Sequence, residues 1–176
     1  MLIHYIIKLC KETGAEYIVD STKDPIRFRL LRSLRPNSVK LIIIVREIYG
    51  VATSGINYGK ELDFEKSAKS WLRFYNKIVF NSLKGIDSNS FLIIKYEDIA
   101  RNPEKIRNEL TEFLNLKKTI FKNNFITKYY HLIAGNPMRY KDDFSINYDE
   151  RWKKVLDENQ INYLKKYQEK LSPFFK

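Results

Sequence analysis

Seven residues, Val39 to Val45 (VKLIIIV), constrain the fold of this chain more than any others. The run is dominated by β-branched residues and does not alternate apolar with polar, the pattern of a central parallel strand covered on both faces. Parallel neighbours need crossover connections, so the flanking sequence must supply helices. It does. Asp24-Pro25 opens a predicted helix to about Leu34, with Asp as the N-cap and Pro at the first helical position, where its missing N–H has no partner to lose. Pro36-Asn37 ends that helix before the strand begins.

The same alternation is expected on either side. Leu2 to Cys10 reads as a buried helix, because Ile3, Ile6, Ile7 and Cys10 fall at helical spacing, and Gly14 follows as its C-cap. Tyr17-Ile18-Val19 then reads as a short buried strand ending at Asp20. After Arg46 a short helix is predicted over Tyr49 to Ser54. A long one follows, with Phe64, Ala68, Trp71, Leu72, Tyr75, Ile78, Val79 and Leu83 as its apolar face. Phe91 to Ile94 is a third strand, and Asn102-Pro103 caps and opens a helix with Ile106, Leu110, Phe113 and Leu114 on one stripe. Thr119 to Asn147 reads as a loop region. A last amphipathic stripe carries Trp152, Val155, Leu156, Leu164, Tyr167 and Leu171, with a break expected near Asp157, where Asp157 and Gln160 have capping-box spacing. Three β-then-α units make this an α/β chain with a parallel sheet, whose strand carboxyl ends share one edge. Ligands bind along such an edge.

Bulk properties narrow the classes. The 176 residues, 44% apolar, provide for one core and one domain spanning 1–176. Lys and Arg outnumber Asp and Glu by 32 to 21, a formal charge of +11 spread along the chain. That charge implies an anionic partner or a solvated lysine-rich surface, and does not separate nucleic acid, acidic membrane and phosphorylated small molecule. A single cysteine, Cys10, excludes a disulfide framework and a thiolate metal cluster and fits a reducing compartment, the cytoplasm. No run approaches the roughly 20 apolar residues of a membrane-spanning helix.

Each strand end carries polar groups: Ser21-Thr22-Lys23, then Arg46 with Ser54 eight residues on, then Tyr96-Glu97-Asp98. A guanidinium fork and hydroxyls placed there could hold phosphate oxygens. Taken singly, each has a structural reading. Ser21-Thr22 forms a turn, Arg46 pairs with a surface carboxylate, Tyr96 packs in the core, and Glu97-Asp98 caps a helix.

In order along the chain, YIVDSTKDP from Tyr17, LIIIVREIYGVATS from Leu41, FLIIKYEDIARNP from Phe91, HLIAGNPMRY from His131 and Arg151-Trp152 resemble the motifs of the PAPS-dependent sulfotransferases, bacterial members above all. The resemblance implies a P-loop-NTPase-like three-layer α/β fold with a helical C-terminal part. The donor would be 3′-phosphoadenosine 5′-phosphosulfate (PAPS), without a metal, and the acceptor a hydroxyl or amine on a small molecule, glycan or lipid. It implies that Arg46 and Ser54 hold the 3′-phosphate, that Tyr96 contacts the adenine, and that Ser21 and Thr22 line the cofactor site. His131, Gly135, Asn136 and Arg139 would belong to a late loop over the cofactor, with Arg139 a second 3′-phosphate contact.

Lys23 stands 23 residues before Arg46, where animal cytosolic members carry a catalytic histidine. A lysine is protonated at neutral pH, so its expected role is to neutralise charge on the leaving phosphate. Asp20 is the candidate base, with His131 the other titratable group considered. The family's first strand and its glycine-rich phosphosulfate loop find no counterpart here, since the six glycines are scattered at 14, 50, 55, 59, 85 and 135. The expectation is a chain truncated at its N-terminus and short of full activity; the alternative is a decayed member that keeps the fold and has lost the chemistry. Two other readings stand beside this one: a basic nucleotide- or polyanion-binding domain without catalysis, though with no nucleic-acid motif, and a related kinase, disfavoured by the absence of Walker residues.

Overall fold

The computed structural model describes residues 2–54, 63–116 and 147–172, without the side chains of residues 1–6 and 9. The order is α1 (Leu2–Thr13), α2 (Pro25–Leu34), β1 (Leu41–Val45), α3 (Ile48–Thr53), α4 (Phe64–Arg73), β2 (Phe91–Lys95), α5 (Tyr96–Arg101), α6 (Pro103–Leu114) and α7 (Glu158–Glu169). β1 and β2 pair in parallel, with Leu41 opposite Phe91 and Val45 opposite Lys95. The sequence signals explain the boundaries. Asp24 accepts a hydrogen bond from the Ile26 N–H and caps α2, and Gly14 ends α1 at a φ of 66°. Asp157 and Gln160 form a complete capping box on α7. Asn102 precedes Pro103 at the start of α6 but makes no side-chain cap hydrogen bond, so proline alone marks that start.

Ile43 and Val45 point from β1 into the main core, joined by Ile48 and Ala52 of α3, Ala68 and Trp71 of α4, Tyr75, Val79, Phe80 and Leu83 beyond it, and Leu156, Leu164 and Leu171 around α7. This layer covers one face of the sheet. On the other face Ile94 is buried, while Ile42 and Ile44 remain 39% and 51% exposed. β1 was expected to be covered on both faces. Among the described residues it has one strand neighbour and one covered face, and its side chains alternate accordingly.

Two further expectations are corrected. Tyr17-Ile18-Val19 is not a strand: the segment has no ladder partner among the described residues, and Val19 is 91% exposed. An apolar triplet becomes a strand only when a neighbour satisfies its backbone groups, and here the Tyr17 hydroxyl instead donates to the Leu114 carbonyl. The sheet therefore has two described strands where three were expected. In addition, the helix after Phe64 changes pitch at Arg73 and continues as a π-helix over Phe74–Phe80. The wider turn brings Val79 and Phe80 into the core and leaves Ile78 41% exposed.

Candidate functional site

At the carboxyl end of β1 the chain turns into α3 through Arg46 and Glu47, and four side chains from other elements surround that turn. The Trp71 indole N–H donates to the Arg46 carbonyl at 2.9 Å. The Arg46 N–H lies 3.4 Å from the Tyr75 hydroxyl. The Glu47 N–H donates to Glu97 Oε1 at 2.9 Å, and the Ile48 N–H donates to Gln168 Oε1 at 3.1 Å. The first N–H groups of any α-helix lack an acceptor within it, and at the start of α3 glutamate and glutamine from α5 and α7 supply one. The turn is a fixed base for the Arg46 side chain.

The guanidinium is fixed separately. Its carbon lies 4.9 Å from the centre of the Tyr96 ring, a favourable position of a cation near an aromatic ring. Gly50 of α3 packs against it so closely that a Cβ there would fall 2.9 Å from Nη2. Nη2 donates to Asp149 Oδ2 at 3.0 Å. Asp149 is in turn gripped by Arg151, Nε to Oδ1 and Nη2 to Oδ2, each at 2.7 Å. These hydrogen bonds from Arg151 are the main reason the Asp149 carboxyl falls to about 2. Tyr148, beside it, donates to Glu47 Oε2 at 3.3 Å and carries Arg101 over its ring at 4.0 Å.

Glu97 is 4% exposed and burial pushes its carboxyl upward in pKa, against the hydrogen bond from the Glu47 N–H. Among the described residues its Oε2 has no hydrogen-bond partner. From sequence it reads as a helix cap. In the fold it reaches across the sheet end to the turn after the neighbouring strand.

Of the residues picked from sequence, Arg46 and Tyr96 meet. Ser54 lies at the opposite end of α3 from Arg46 and its hydroxyl donates to the Val51 carbonyl at 2.8 Å. Asp20 accepts from the Thr22 N–H at 3.0 Å and pairs with Arg27 at 2.7 Å. Those contacts, the Thr22 backbone bond foremost, lower its pKa. Lys23 adopts a left-handed φ of 61°, uncommon for a residue with a Cβ. Among the described residues no hydrogen bond or ion pair joins the Asp20 to Lys23 segment to Arg46, Ser54 or Tyr96. His131, Gly135, Asn136 and Arg139 lie outside the described residues.

Sequence reasoning missed Asp149, Gln168, and Glu97 as a brace. Only Asp149 left a local trace, an aspartate two residues before an arginine and thus able to hold both its N–H and its fork. An open groove of about 430 Å³, lined by Val51, Lys66, Ser67, Ser70, Trp71, Phe74 and Tyr75, adjoins the turn through Trp71 and Tyr75. Among the described residues no cluster of His, Cys, Asp or Glu could hold a metal ion, and no helix is long and apolar enough to cross a membrane.

A family model described as "Sulfotransferase domain" matches residues 28–174. Among solved structures the chain is similar to the "Sulfotransferase Domain from the Curacin Biosynthetic Pathway", with a TM-score of 0.69 and 20% identity, covering 97% of this chain and 68% of that one. At that identity the likeness is one of fold. A comparison with curated proteins finds no match. With the family match extending over most of its length and every element of the Arg46 site inside it, the chain belongs to the sulfotransferase domain family.

Proposed function

We propose that this chain binds PAPS at the carboxyl end of its sheet and transfers the sulfuryl group to a hydroxyl or amine of a small-molecule, glycan or lipid acceptor. The observation that carries the reading is the Arg46 guanidinium. It is held beside Tyr96 at a parallel-strand carboxyl end, 27% exposed, with one charge-assisted bond to Asp149. A planar fork on a rigid base suits phosphate oxygens, and a neighbouring aromatic ring suits a purine.

In this reading Arg46 takes the 3′-phosphate, with Ser54, Asn136 and Arg139 as further contacts, and Tyr96 lies against the adenine. Ser21, Thr22 and Lys23 face the 5′ end, where Lys23 offsets the charge that gathers on the leaving phosphate. The transfer forms a bond from the acceptor oxygen or nitrogen to sulfur, breaks the bond from sulfur to the 5′-phosphate oxygen, and releases the acceptor's proton. Asp20 is the proposed proton acceptor. Its bond to Arg27 must open for that role, because a carboxylate so paired is a weak base.

Calorimetric titration with adenosine 3′,5′-bisphosphate and adenosine 5′-phosphate tests the assignment. The bisphosphate should bind at least about tenfold more tightly, and Arg46→Ala should remove that preference while the thermal transition persists. Equal affinity for the two nucleotides, with binding that weakens steeply in salt, would instead identify a polyanion-binding module.

A further inference from the structure

We infer that Asp149 is a positioning residue that aims the Arg46 guanidinium, and that Arg151 locks Asp149 for this task. The inference deepens the nucleotide-site reading and rests on it for the identity of the anion that Arg46 meets.

Without Asp149 the Arg46 side chain lacks a directional hold. Its backbone is fixed by Trp71, and the residues after it by Glu97 and Gln168. The Tyr96 ring and Gly50 confine the guanidinium by contact alone. Contact with a ring and a glycine is not directional, so the fork can still turn and slide between them. A hydrogen bond is directional, and the one from Nη2 to Asp149 Oδ2, at 3.0 Å, fixes which N–H groups face outward.

Asp149 can serve this purpose only if it is itself immobile. Arg151 holds both of its oxygens at 2.7 Å, and the Arg151 N–H lies 3.2 Å from Oδ1. The Asp149 side chain is 18% exposed against 64% for Arg151. The carboxylate is thus the enclosed, rigid member and Arg151 the outer clasp. A fork fixed before its ligand arrives loses less freedom on binding, which raises affinity without a new contact. The cost is a negative charge close to the phosphate. A carboxylate gripped by two guanidinium groups leaves one net positive charge on the trio, so attraction for an anion persists.

The test has two arms on the full chain. In the first, the Arg46 Nε–Hε signal is followed by ¹⁵N NMR without nucleotide, assigned through Arg46→Lys. It should report a rigid side chain in the parent protein and a mobile one in Asp149→Asn. In the second, adenosine 3′,5′-bisphosphate affinity should fall about tenfold in Asp149→Asn while adenosine 5′-phosphate affinity stays unchanged. Arg151→Gln, altered at an exposed side chain, should move both readouts the same way and covers the case in which Asp149→Asn does not fold. An Arg46 signal equally rigid in the variants overturns the inference. So does tighter bisphosphate binding, which would make Asp149 a competitor for the fork. A loosened Arg46 in a protein whose parent form ignores the 3′-phosphate would uphold the positioning role and overturn the nucleotide reading instead.

Discussion

Gly50 lies directly against the guanidinium of Arg46: a Cβ built on it would fall 2.9 Å from Nη2, 3.0 Å from Nε and 3.2 Å from Cζ. Residue 50 is inside α3, where alanine is the better helix former, so glycine here serves the approach of the side chain and not the helix. Gly50→Ala should push the fork away from Tyr96 and lower adenosine 3′,5′-bisphosphate affinity about tenfold, measured by calorimetry. The helix should be as stable or more so. A variant with parental affinity would show that the fork has room to shift, and that its packing on Gly50 is incidental.

Glu97 predicts a pH effect on stability. Its carboxyl is raised by burial, so the folded state holds a proton that the unfolded chain has already released. The sign follows from linkage. The contribution of Glu97 is fully present below the ordinary glutamate range and is lost as pH rises through its raised folded value. Glu97→Gln keeps an acceptor for the Glu47 N–H and removes the titration, so its melting temperature should gain on the parent protein as pH rises. Thermal melts from pH 4 to 8 check this, and parallel curves for the two proteins would refute it.

Trp71 joins core to site, being 4% exposed and donating to the Arg46 carbonyl. Trp71→Phe keeps an aromatic ring but leaves that carbonyl without the indole donor. A loss of about 2 kcal/mol is expected, seen as a fall of about 4–8 °C in a domain of this size. Nucleotide affinity should fall with it, because the base of the Arg46 side chain loosens. Unchanged melting would mean that water replaces the indole at no cost.

Much of the local structure was legible because its causes are local. Asp24-Pro25 and the Asp157/Gln160 pair carry their own capping chemistry, and they begin helices where expected. Tyr17-Ile18-Val19 failed for the opposite reason, since a strand is made by its neighbour. The π turn after Arg73 also escaped: an apolar stripe read at α-helical spacing places Ile78 inside, whereas the observed pitch places Phe80 there. The site divides in the same way. Arg46 and Tyr96 follow the two strands, and parallel pairing alone brings their ends together. Asp149 meets Arg46 across 103 residues, and no pattern of spacing encodes that contact.

The sequence by itself determined that this is a basic α/β chain with parallel strands, and that its arginine-bearing and tyrosine-bearing strand ends lie on one edge, because period, capping and strand polarity are properties of short segments. Only the tertiary structure decided what surrounds that arginine. Glu97, Gln168 and Trp71 come from three separate helices and Asp149 from the irregular segment before Arg151, and side chains so distant along the chain acquire a common purpose only when packing of the core sets these segments at fixed distances from one another.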